Sequence, residues 1–229
     1  MAGRGDSTAG RARTPRVELA RIRAAQAGEI TQLRERIMAA AIEACGERGY
    51  RDATVQDTID RYGGHRQQFY KHFASKAECY AVAYEFEVER LYTTLRDLAA
   101  AEPSWQRGLV AVLYGLADFL CARPTLARGL LVEVHVAGGP ALLKRLEVFE
   151  RLTRAVDSAR HETESRHSPP PVTATFMVGA IEAAVTSALT RARPQDFADA
   201  VPELAQMVLA AYFGDEIAGE ETATLRDAA

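Results

Sequence analysis

Apolar residues recur along this chain every three or four positions, and no stretch shows sustained period-two alternation. The pattern therefore predicts an all-α fold. From Glu29, the series Leu33, Ile37, Ala40/Ala41 and Ala44/Cys45 marks one face of a helix that ends at Gly49, a natural C-terminal glycine. Thr54 can cap a short helix over Val55 to Tyr62, Gly63-Gly64 supplies a tight turn, and His65 to Phe73 forms a second short helix. Ser75-Lys76-Ala77-Glu78 has the form of a capping box and opens a long helix to about Ala100, with Tyr80, Tyr84, Val88, Leu91, Leu95 and Leu98 along its apolar stripe.

Beyond Pro103-Ser104 the same spacing predicts helices over Trp105 to Ala122, Thr125 to Val136, Ala141 to about Arg160 and Pro171 to Arg191. His161 to Pro171 is expected to be a loop. Pro194 to Val201 is at most a short helix, because Pro202 is expected to force a break, and a last helix runs from Pro202 to Gly214. Residues 215–229 are expected to fray. At the other end, residues 1–13 read as an Arg-rich arm, and Thr14-Pro15 as the start of an extra helix near 15–27. The chain thus divides into an arm (1–28), a helix-turn-helix bundle (29–76), a helical body (77–214) and a tail (215–229).

In the second short helix Phe69 and Phe73 fall four apart and can face a core, which leaves Arg66, Gln67, Tyr70 and Lys71 on other faces. Arginine and glutamine can read guanine and adenine edges through paired hydrogen bonds, and lysine and tyrosine can hold phosphates. Lys76 and the free amides near Ser75 can bind a further phosphate. The candidate DNA-binding set is Thr54, His65, Arg66, Gln67, Gln68, Tyr70, Lys71, His72 and Lys76.

Gly49-Tyr50, Thr54-Val55, Phe69-Tyr70-Lys71-His72-Phe73 and Ser75-Lys76 together resemble the DNA-binding domain of the tetracycline-repressor (TetR) family of transcriptional regulators, over roughly residues 33 to 80. The chain departs from the family pattern at Thr58-Ile59, where Ile-Ala is usual, and at Tyr62-Gly63-Gly64-His65, where Ala-Gly-Val-Ser is usual. The resemblance implies sequence-specific binding of double-stranded operator DNA by a homodimer, most often as a repressor released by a small ligand. A second reading is a helical ligand-binding or protein-interaction module whose altered turn has lost operator binding.

Charge sharpens the picture. The net charge of −3 hides a basic first third, with 14 Lys/Arg against 9 Asp/Glu in residues 1–76, and an acidic remainder with 14 against 22. A positive module on an acidic body suits phosphate attraction at one end. Cys45, Cys79 and Cys121 are too scattered for a disulfide framework or a Cys-x-x-Cys metal site. No His-Glu-x-x-His, Gly-x-Ser-x-Gly or Gly-x-Gly-x-x-Gly occurs, so neither enzyme, metal nor cofactor is expected. With no long apolar run and no apolar leader, a cytoplasmic protein without membrane contact is expected.

In the body, an apolar ligand pocket is expected among Tyr84, Trp105, Tyr114, Phe119, Phe149, Phe176 and Met177, with His135 and other polar residues of these helices to orient the ligand. Gly179, Ala183 and Ser187 recur every four residues and let helices approach closely. With Leu204 and Val208 of the last helix they form the expected dimer interface.

Overall fold

A computed structural model describes residues 15–162 and 167–226, with side-chain surroundings for residues 28–162 and 167–223. The expected Arg-rich arm (1–13) and the last three residues of the expected tail lie outside the described residues. Among the described residues the regular structure is helical throughout: α1 (Pro15–Arg48), α2 (Val55–Tyr62), α3 (Arg66–His72), α4 (Lys76–Ala100), α5 (Trp105–Ala122), α6 (Pro124–Leu131), α7 (Val134–Ala137), α8 (Gly139–Asp157), α9 (Thr173–Thr190), α10 (Gln195–Phe213) and α11 (Asp215–Arg226). The chain forms two compact units, Met1–Arg36 and Ile37–Ala229. Of the first, the described part belongs to α1; the packing described below is that of the second.

The expected extra helix near 15–27 is not a separate element, because α1 runs unbroken from Pro15 to Arg48. Gly28 costs a helix interior only about 1 kcal/mol, and no proline follows it to block the backbone bonds. From Ile37 onward α1 buries Ile37, Met38, Ala41, Ile42 and Cys45. These share the small core of the reading module with Ile59 and Tyr62 of α2 and with Phe69 and Phe73, whose rings lie 5.9 Å apart. Thr54 caps α2 by accepting from the Asp57 amide at 3.2 Å, while the Asp57 carboxylate accepts from the Thr54 amide at 2.8 Å. Gly63 ends α2 in the left-handed region (φ 71°), a conformation that glycine adopts without steric cost.

A second connection ties the module to the body. Gly46 of α1 lies against Thr125 and Gly129 of α6, and Gly129 lies against Ile42; a methyl group on either glycine would collide with backbone atoms of the other helix. Around this crossing Arg128 donates to the Gly46 carbonyl at 2.6 Å, and the Tyr80 hydroxyl of α4 donates to the Gly129 carbonyl at 2.7 Å. The single helix expected over Thr125 to Val136 is instead two, α6 and α7, separated at Val132 and Glu133. At that break the Glu133 carboxylate, only 5% exposed, accepts from the Tyr50 amide at 2.7 Å and pairs with Arg128 at 3.2 Å.

The body packs α4 on α5 and α8, α8 on α9, and α10 on α5, α9 and α11. Its core joins Leu113 and Leu120 of α5 to Phe197, Leu209, Tyr212 and Phe213 of α10. Two expectations fail here. Pro202 does not break the last helix, since α10 continues through it; its missing N–H removes one intrahelical bond, and burial of Phe197 and Val201 before it and Ala205 and Val208 after it holds both halves on the same core. Nor does the chain fray after Gly214, because α11 buries Ala218 and Thr222 against the body. The apolar α9 is long enough by composition to cross a membrane, yet it packs one side on α6, α8 and α10.

Two substitutions test this packing in opposite directions. Gly129→Ala should lower the unfolding free energy by about 1–3 kcal/mol through overpacking against Ile42. Ala192 closes α9 at φ 56°, so Ala192→Gly should raise it by about 1 kcal/mol by relieving a left-handed alanine. Urea unfolding of each variant against the parent measures both.

Candidate nucleic-acid interface and buried cavity

The α2-turn-α3 unit is held in shape by short local bonds. The Tyr62 hydroxyl donates to the His65 carbonyl at 2.9 Å, and the His65 amide donates to the Gln68 side chain at 3.0 Å. Gln68 therefore caps the helix it was expected to read DNA from, in place of the serine that His65 replaces. Arg66, Gln67, Tyr70 and Lys71 are exposed while Phe69 is buried. The Arg66 guanidinium lies 5.5 Å from the Tyr70 ring centroid, which stiffens both side chains on one face. His72 is half-buried beside the Phe73 ring.

The hydroxyl of the exposed Thr54 is committed to Asp57, to which it donates at 2.6 Å. That bond, with the Thr54 amide and Arg48 at 2.8 Å, holds the Asp57 carboxyl below its ordinary range. An ionised carboxylate at the head of α2 disfavours a phosphate there. Arg61 pairs with Glu43 and Glu47 of α1 and is spent within the module.

Lys76 has a structural engagement that the sequence did not suggest. Its ammonium donates to the carbonyls of Tyr50 at 2.6 Å and Ala53 at 2.8 Å and sits 4.5 Å from the Tyr50 ring centroid. It thus clasps the loop between α1 and α2 to the start of α4. Ser75 caps α4 by accepting from the Glu78 amide at 3.1 Å, while the Glu78 carboxylate accepts from the Ala74 amide at 2.7 Å, one residue short of the expected reciprocal bond.

From this clasp a ladder of rings leads into the body. Tyr50 meets Tyr80 edge-on at 4.9 Å, and Tyr80 lies roughly parallel to Tyr84 at 6.3 Å. Tyr84 opens onto a cavity of about 180 Å³ between α4, α5, α8 and α9. Its wall is aliphatic, with Val88, Leu91, Leu113, Leu116, Val148 and Ile181 among its members, and it includes Leu131 and Val134 from the two sides of the α6–α7 break. Arg145 and Glu182 form an ion pair in this wall.

Of the expected ligand residues, Tyr84 and Phe149 line this cavity. Trp105 lines a neighbouring one of about 420 Å³ and packs against Tyr212 and Phe213. Tyr114, Phe119 and Met177 pack on the body core instead. Phe176 is 70% exposed and faces away, while His135 stands on the surface with Nε2 3.9 Å from Glu182. Aromatic content was a poor guide because a helix carries core and cavity residues on adjoining faces. The signal missed was aliphatic: Leu and Val at cavity positions look like any core.

The small-residue stripe expected to pair helices is accessible. Ala183 and Ser187 are exposed and Gly179 is half-exposed, lining an open groove of about 560 Å³ with His135, Arg145 and Glu182. Val172 just before α9, Phe176 of α9 and Met207 of α10 are also exposed large apolar residues. Val208 is not: at 1% exposure it belongs to the core, and the outward position is the adjacent Met207. Leu204 is half-buried against the core. Among the residues with described side chains, no group of three or more His, Cys, Asp or Glu is placed to hold a metal ion.

Residues 37–83 match the family model of bacterial regulatory proteins of the tetR family. No curated protein matches the chain. Among solved structures, the fatty acid degradation regulator FadR from Bacillus halodurans is 18% identical with a TM-score of 0.67, over 76% of this chain and 96% of that one. FadR from Bacillus subtilis in complex with stearoyl-CoA is 15% identical with a TM-score of 0.66, over 77% and 97%. SmeT, the repressor of the Stenotrophomonas maltophilia multidrug efflux pump SmeDEF, is 21% identical with a TM-score of 0.63, over 78% and 89%. These likenesses are of fold.

Lysines 71 and 76 should separate in experiment. Lys71→Ala should leave stability unchanged and flatten the slope of log affinity against log salt by about 0.9. Lys76→Met should cost about 2–3 kcal/mol of stability, since it removes charge-assisted bonds to two part-buried carbonyls, while the salt slope stays as in the parent. Urea unfolding and DNA titration at several salt concentrations distinguish the two.

Proposed function

We propose that this chain, a sequence-specific DNA-binding regulator of transcription by virtue of its tetR-family domain at residues 37–83, is a homodimeric cytoplasmic repressor that leaves its operator when a small apolar molecule fills the cavity beneath Tyr84. One observation carries the reading: the Tyr50–Tyr80–Tyr84 ladder spans from the loop clasped by Lys76 to the cavity wall, so reading head and cavity share α4. Arg66, Gln67, Tyr70 and Lys71 form the exposed DNA-facing set, with Gln67 and Arg66 reading bases and Lys71 and Tyr70 holding phosphates. Gln68, His65 and Thr54 shape the helices that present them.

A ligand that displaces Leu131 and Val134 acts on the α6–α7 break, where Glu133 holds the Tyr50 amide. A ligand that displaces Tyr84 acts on α4 directly. Both motions change the separation of two reading heads in a dimer, and DNA half-sites tolerate little mismatch of spacing. The stearoyl-CoA bound by one structural neighbour and the efflux-pump repression performed by another support an apolar effector and negative regulation. The alternative, a module that has lost operator binding, finds no support in the turn: Gly63 and the Tyr62 and Gln68 bonds give α3 an ordered start despite the unusual Gly64-His65.

The dimer is assigned to the outward face of α9 and α10, with Phe176, Gly179, Ala183, Ser187 and Met207 at its centre. Selection of genomic fragments by the protein should return a pseudo-palindrome whose half-sites lie about 34–36 Å, or a multiple of that, apart. Ala183→Arg places unpaired charge in the seam and should convert dimer to monomer at micromolar concentration, with loss of operator affinity. A variant that still sediments as a dimer would place the interface elsewhere. Fragments recovered without a shared site would overturn the regulatory reading.

A further inference from the structure

The wall of the cavity carries one polar group with nothing to bond to. Tyr84 is 1% exposed, and its hydroxyl has no hydrogen-bond partner among the described residues. That hydroxyl is not a sealed-in polar atom, so it lies where cavity space reaches it, and a ligand acceptor placed there gains a hydrogen bond from it. Arg145 and Glu182 stand close enough to influence the phenol, yet burial dominates and pushes its ionisation far up, so Tyr84 remains an O–H donor throughout the physiological pH range.

The charges beside it are already matched. Arg145 and Glu182 pair with one another within the same wall, and the remaining lining is aliphatic or aromatic. An ionised carboxylate entering this space would meet an arginine whose charge Glu182 has neutralised. An ammonium would meet a glutamate that Arg145 holds. Either ion would lose its hydration for an incomplete partner, whereas a neutral dipole keeps the existing pair intact and needs a single donor.

The geometry points to a ligand with an apolar chain or ring and one neutral carbonyl acceptor, a ketone, ester or lactone, that receives a hydrogen bond from the Tyr84 hydroxyl beside the Arg145–Glu182 pair. This rests on the reading of the cavity as the effector site, and it adds what the effector must be. It also gives Tyr84 a role distinct from its neighbours: Tyr80, one turn earlier on α4, already spends its hydroxyl on the Gly129 carbonyl at 2.7 Å.

Calorimetric titration of the full-length protein at pH 7.5 with octan-2-one, octanoate and octylamine tests the assignment. Octan-2-one should bind at least about tenfold more tightly than either ion. Because any apolar cavity disfavours ions, the conservative variant decides the matter: Tyr84→Phe should weaken octan-2-one by about 2–10-fold while the unfolding midpoint stays within a few degrees of the parent. Octanoate or octylamine binding as tightly as the ketone, or a Tyr84→Phe variant with undiminished ketone affinity, would overturn the head-group assignment and leave the cavity as effector site. Failure of all three probes to bind the parent would overturn both.

Discussion

The close approach of α1 and α6 at Gly46 and Gly129 governs how the reading head sits on the body. Only with two glycines facing one another can Arg128 reach the Gly46 carbonyl and can Tyr80 reach the Gly129 carbonyl. The same proximity lets Glu133, at the break between α6 and α7, hold the Tyr50 amide. Without this crossing the module would be joined to the body through α4 alone, and a shift in the body could leave it swinging. With it, the module is gripped at two points, and displacement of either helix relative to the other must be felt in the loop that precedes α2.

Much of the reading head was legible because local chemistry decides it. A threonine cap, a glycine turn and phenylalanines four apart specify two short helices whatever the rest of the chain does, and the exposed set Arg66, Gln67, Tyr70 and Lys71 follows from the buried Phe69. Lys76 was less legible, since its partners are backbone carbonyls some twenty residues earlier, and a sequence shows no vacant carbonyls. Pro202 misled for a related reason. The local rule says that proline ends a helix, but buried residues on both sides of it outweigh one missing bond. The same holds for α11, whose polar composition suggests a tail although Ala218 and Thr222 find the body.

In the body the legible and illegible parts divide differently. Helical periodicity gives the number and rough span of the helices, but it does not say which apolar face meets a partner, which meets a void and which meets solvent. Val208 and Met207 differ by one position and by 1% against 54% exposure, a distinction set by the 100° turn between successive residues and by where α5 and α9 happen to lie. The cavity itself is a place where helices fail to meet, and a shortfall of packing has no signature in residue type. What marks it is the phenol of Tyr84 at its wall and a pair of charges that face each other where a wall of leucine and valine would suffice.

The two cysteines of the reading module carry a practical consequence. Cys45 lies on the inner face of α1 and Cys79 on the inner face of α4, both out of contact with solvent, and burial pushes the Cys45 thiol up to about 12. Reactive thiolate is therefore scarce in the closed module, and oxidants or electrophiles meet an inert surface. Chemistry at these sulfurs waits for the helices to part. The rate at which an alkylating reagent consumes them is a clock for that parting, built into the chain without any added label, and it reports the breathing of the reading head separately from the unfolding of the body.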